Sequence, residues 1–96
     1  MFRMTVADVF AIRNRGTVAT GRVDSGTLRV GDTVQIDGTL EARVDAIEVF
    51  RKSIDEANVG ESIGVLFKGV EKNQLNRGSV LTSSSSSSSY GEAPPI

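Results

Sequence analysis

The chain has 96 residues, enough for one small domain that buries about 64% of its unfolded surface by the area scaling of compact monomers. Hydrophobic residues at 39% and charged residues at 24% are the balance of a folded globular chain, and eleven bases against twelve acids exclude a polybasic tail. With neither cysteine nor histidine, disulfides, thiolate nucleophiles, Cys/His zinc sites, imidazole bases and Ser-His-Asp triads are all excluded.

The opening Met1-Phe2-Arg3-Met4 lacks the apolar stretch of a secretory signal. No later run approaches the roughly 18 apolar residues of a spanning helix, so a cytoplasmic address is expected. A first strand is predicted over about residues 4 to 13. In it Val6, Phe10 and Ile12 share one parity and Val9 and Ala11 the other. A free barrel wall is polar outside, so a second apolar face predicts a surface covered by another domain, subunit or ligand. Asn14-Arg15-Gly16 supplies a turn-prone Asn and a Gly able to take positive φ, which predicts a hairpin into a second strand at about 16 to 24.

Further strands are predicted at about 27 to 30, 33 to 37, 41 to 51, 62 to 70 and 79 to 82. Thr33-Val34-Gln35-Ile36-Asp37 shows the period plainly, with Val34 and Ile36 on one face. Within 41 to 51 the apolar parity changes from Val44 and Ala46 to Ile47 and Val49, which predicts a β-bulge or bend near Ala46-Ile47. The one helical candidate is Asn73 to Gly78, a single turn with Asn73 as N-cap and Gly78 as stop. Short strands punctuated by glycine, with no proline before Pro94, predict a closed barrel or sandwich. Ser83 to Ser89 is an unbroken serine run followed by Tyr90-Gly91-Glu92-Ala93-Pro94-Pro95-Ile96. Such a segment has too little to bury to offset about 1 to 2 kcal/mol of backbone entropy per residue, so 83–96 is predicted to be a flexible tail behind a domain at 1–82.

Two patterns imitate chemistry. Gly16 to Val23 has the spacing of a phosphate-binding P-loop, but Arg22 stands in place of its lysine and Val23 in place of its hydroxyl residue, and the intervening residues are strand formers. Asp55, Glu56 and Glu61 suggest a hard-cation site, yet no calcium-loop spacing is present. No metal and no cofactor are expected. Charge is unevenly spread: residues 1–31 hold Arg3, Arg13, Arg15, Arg22 and Arg29 against Asp8 and Asp24, and the remainder leans acidic.

A set of ordered segments goes further. Asp8-Val9-Phe10, Arg15-Gly16-Thr17-Val18-x-Thr20-Gly21-Arg22-Val23-x-x-Gly26, Val30-Gly31-Asp32, Glu48-Val49-Phe50-Arg51-Lys52, Asp55-Glu56, Gly60-Glu61-x-x-Gly64-Val65-Leu66 and Arg77-Gly78-x-Val80-Leu81 resemble the second domain of elongation factor Tu and related translational GTPases. The resemblance spans about residues 2 to 82 and implies an all-β fold, a Greek-key β-barrel of six or seven strands. It further implies contact with the aminoacylated 3′ end of transfer RNA, and docking on a GTPase domain and the ribosome. Asp8, Phe10 and Thr20 match family positions around the attached amino acid, Ser62 stands where that pocket has an asparagine, and Glu48 and Arg51 match positions near the terminal adenosine.

The chain carries no GTP-binding domain of that family and no usable P-loop, so the expectation is a non-catalytic, translation-factor-like RNA-binding module. The alternative is a protein-interaction barrel that has lost RNA binding, which near-neutral charge favours because RNA affinity draws on phosphate neutralisation. No membrane partner is expected.

Overall fold

The computed structural model describes residues 1–83, so the predicted tail lies outside the described residues from position 84 onward. Ten strands run β1 (Arg3–Ile12), β2 (Gly16–Ser25), β3 (Leu28–Arg29), β4 (Thr33–Ile36), β5 (Leu40–Arg43), β6 (Ala46–Val49), β7 (Lys52–Ile54), β8 (Glu56–Ala57), β9 (Ser62–Phe67) and β10 (Val80–Ser83). Eight form one sheet in the order β5-β4-β10-β1-β2-β9-β6-β7, and β3 pairs with β8 in a separate ladder. The large sheet is strongly curled into a half-barrel, the all-β architecture expected. The last strand lies between β1 and β4, so both ends of the described chain meet. Phe2 N–H donates to Ser83 Oγ at 2.8 Å, and Ser83 N–H donates back to the Phe2 carbonyl at 3.1 Å.

The hollow of the sheet holds one apolar core, in which Met4, Ile47, Val65, Phe67 and Leu81 are fully buried. Each such side chain stabilises the fold by about 1.5–3 kcal/mol relative to exposure. The hairpin forms as predicted. Asn14 (φ 65°) and Gly16 (φ 132°) take left-handed backbone, and Arg15 N–H donates to the Ile12 carbonyl at 2.9 Å. A Cβ at Gly16 would collide with the Phe67 carbonyl, so only glycine lets this turn lie against β9.

Three local expectations are corrected. Val6 does not share a face with Phe10. The register passes from Val6↔Gly21 to Asp8↔Thr20 and leaves Ala7 unmatched. That extra residue turns all that follows by one step, so Val6 and Val9 both enter the core while Phe10 stands half exposed outside.

The expected strand 41 to 51 is two strands, interrupted at Val44-Asp45 rather than bulged at Ala46-Ile47. Val44 bonds to the β3–β4 connection through Gly31 N–H and the Asp32 carbonyl, each at 2.9 Å, and Asp45 N–H then donates to Leu66 at 2.9 Å. The chain changes neighbours here: β5 pairs with β4, but β6 pairs with β9. With β7 and β8 added, this division takes the seven expected segments to ten.

The helical turn is a 3-10 turn at Lys72–Gln74 whose N-cap is Glu71, not Asn73. Gln74 Oε1 accepts the Glu71 N–H at 2.9 Å, satisfying the first free donor of the turn. Leu75, buried, closes it, and Gly78 (φ 89°) belongs to the following turn, where Ser79 N–H donates to Asn76 at 3.0 Å.

Candidate functional site

Pairing across β1, β2, β9 and β6 arranges the outer face in rows. One row reads Phe10, Val18, Leu66, Ala46, and the next Asp8, Thr20, Gly64, Glu48. Val18 and Leu66 lie outside the core cluster, and a Cβ at Gly64 would meet Val18 Cγ1 at 3.2 Å and Thr20 Cγ2 at 3.8 Å, which puts these residues on one side of the sheet. The absence of a side chain at Gly64 leaves open floor between Thr20 and Glu48.

Five of the six predicted site residues therefore share this face: Asp8, Phe10, Thr20, Glu48 and Ser62, the last opposite Arg22 and one row further along. Arg51 is apart from them. It sits at the tip of the β6–β7 hairpin (φ 63°), with its guanidinium 5.2 Å from the centroid of the Phe50 ring, a cation–π distance.

Asp8 is held by its neighbours. Its Oδ1 accepts the Val9 N–H at 3.0 Å and faces Arg77 Nε at 3.4 Å, while its carbonyl accepts from Thr20 Oγ1 at 3.4 Å. Glu48 faces Arg15 at 3.7 Å. These ion pairs are exposed, of the kind worth about 0–1 kcal/mol, so they orient side chains more than they stabilise the fold.

A groove of about 410 Å³ follows the polar row, with Thr20, Arg22, Glu48, Phe50, Ser62 and Gly64 among its lining. It takes in Thr20, Glu48 and Ser62 from the predicted set. Asp8 instead lines a smaller cleft with Lys72 and Arg77. The predicted site set lacked Phe50, 86% exposed on the groove's rim, and Arg22, although both stand in the segments that carry the family resemblance. The signal for Phe50 was available: a lone aromatic beside Arg51-Lys52, where the alternation of β6 ends.

Chemically, this face offers stacking surface (Phe10, Phe50), carboxylate acceptors (Asp8, Glu48) and donors (Thr20, Ser62, Arg22), the kinds of group that suit a planar polar ligand. Among the described residues no three carboxylates converge as metal ligands, and no helix is long and apolar enough to cross a membrane. The P-loop-like segment lies in β2, paired on both sides with β1 and β9, so its amides serve two ladders rather than an anion nest.

The family model for elongation factor Tu domain 2 matches residues 16–82. The chain belongs to the elongation factor Tu domain 2 family. It is thus a translation-factor-associated domain, as the sequence resemblance implied. The match includes Thr20, Glu48, Arg51 and Ser62, whereas Asp8 and Phe10 precede it on β1.

Proposed function

We propose that this domain is a non-catalytic binding module of a translation factor, whose outer face receives the aminoacylated 3′ end of transfer RNA and which docks on a GTPase domain and the ribosome. The supporting observation is the convergence of Asp8, Phe10, Thr20, Glu48 and Ser62 on one face of four adjacent strands. A single-stranded RNA end is recognised by stacking and by hydrogen bonds to base edges and ribose, with about 1–3 kcal/mol per stacked base. Phe10 and Phe50 supply rings, and Asp8 and Glu48 are acceptors suited to ribose hydroxyls and to the ammonium of an attached amino acid.

The test is fluorescence anisotropy with a short labelled RNA ending in CCA, with and without an esterified amino acid, at low and physiological salt. Weak saturable binding is expected, tighter for the aminoacylated RNA and falling with salt through a few phosphate contacts. No binding at low salt by the folded domain would leave the protein-docking alternative, which the near-balanced charge and the exposed Phe50 favour.

A further inference from the structure

The groove that follows the polar row ends at a cation without a counter-charge. Arg22 stands two residues past Thr20 on β2 and opposite Ser62 on β9, so it shares their face. It is exposed, and its Nη2 lies 3.9 Å from where a Cβ on Gly60 would stand, which sets the guanidinium beside the turn between β8 and β9. No carboxylate among the described residues pairs with it.

The acids around Arg22 are each engaged elsewhere. Among the described residues Glu48 is the acid that lines this groove, and it faces Arg15 at 3.7 Å. Asp8 faces Arg77 at 3.4 Å and lines a different cleft. Asp24 accepts from Thr5 Oγ1 at 3.3 Å, and Glu61 accepts the Asn58 N–H at 2.6 Å. The guanidinium is therefore the uncommitted charge of the groove. Space beside it is open, since Ala7, Ser62 and Gly64 line the groove with nothing larger than a hydroxymethyl group.

We propose that Arg22 selects for an acidic aminoacyl side chain, its guanidinium receiving the side-chain carboxylate at the end of the groove. The inference rests on the reading of this face as the site for an aminoacylated RNA end. Successive outer positions of a strand are about 7 Å apart, so an amino acid held at the row of Thr20 and Glu48 has Arg22 one row away, a gap that a glutamyl chain and an arginine chain close from both sides. A guanidinium presents a planar fork of donors that matches a carboxylate through two parallel hydrogen bonds. A glutaminyl side chain has the same length and shape but no charge, so it lacks that match. The site is exposed, which limits the preference to the range of a solvated ion pair.

The probes are two short RNAs ending in CCA, one carrying glutamate and one glutamine, each joined to the terminal ribose through an amide so that it does not hydrolyse. Both are titrated against the full chain by fluorescence anisotropy, with the Arg22 Nε–H signal followed by NMR. At low salt wild type should bind the glutamyl RNA roughly two- to fivefold more tightly than the glutaminyl RNA, and the glutamyl RNA should shift the Arg22 signal further. In Arg22→Gln the ratio of the two affinities should fall to one or below, whereas Arg22→Lys, which keeps the charge without the fork, should retain part of it. Added salt should bring the wild-type ratio toward one. The same preference in Arg22→Gln would overturn the selection, and a substitution that weakens both RNAs equally would assign Arg22 to the phosphates instead. If both RNAs bind wild type with equal affinity, the selection alone fails. If neither binds, the RNA-end reading on which it rests fails as well.

Discussion

The inner and outer faces of β1, β2 and β9 are built from the same three strands and obey different rules. Inside, Met4, Val6, Val23, Val65 and Phe67 are each at most 2% exposed and belong to one apolar cluster. Outside, Phe10 is half exposed and Thr20, Glu48 and Gly64 line an open groove. The inner face is set by close packing, where any lost volume is felt. The outer face is set by spacing, since its rows keep polar groups on neighbouring strands within reach of one ligand. The bulge at Ala7 joins the two regimes by turning Asp8 and Phe10 outward while Val6 and Val9 stay inside.

The sharpest way to break this comparison is a large cavity on the inner side. Phe67→Ala should destabilise the domain by about 3–5 kcal/mol in urea melts, the range for a fully buried aromatic. A loss below about 1 kcal/mol would mean that the face is not packed as described. Gly21→Ala comes next, because a Cβ there would collide with the Thr5 carbonyl where β1 and β2 approach beside the bulge. A loss of about 1–3 kcal/mol is expected, as for other overpacked sites, and an unchanged denaturation midpoint would contradict the close approach.

How much of this was legible from the chain depends on whether a residue's role was local. The hairpin at Asn14–Gly16 was legible because positive φ restricts residue choice at those positions, and Val34 and Ile36 announced their burial by alternation. The Ala7 bulge was not, since alanine fits either face and parity counting assumes no extra residue. The interruption at Val44-Asp45 registered only as a parity change, displaced by two residues. Its cause is the exchange of β4 for β9 as neighbour, which is tertiary. Short β7 and β8 carry little apolar pattern because their pairing rests on backbone bonds. For the site, strand parity placed Asp8 and Phe10 together, but it gave no hint that Arg51 sits at a hairpin tip on Phe50.

A smaller effect should separate the faces more finely. Gly64→Ala brings a methyl within 3.2 Å of Val18 Cγ1, without a positive φ to forbid it. The crowding is partly offset by the lower backbone entropy of alanine in a strand, so stability should change by less than about 1 kcal/mol. Affinity for the aminoacylated CCA-ending RNA should nonetheless fall, because the methyl stands between Thr20 and Glu48. Stability and affinity falling together in thermal melts and anisotropy would place Gly64 with the core instead.

Phe10→Leu tests most directly whether the outer face binds while the inner face folds. The melting midpoint and the affinity for the aminoacylated CCA-ending RNA should be measured on the same preparation at low salt. Loss of a half-exposed ring to a similar apolar volume predicts a stability change under about 1.5 kcal/mol, together with a clear loss of RNA binding as the stacking surface goes. A large drop in melting temperature, or undiminished RNA affinity, would contradict the account.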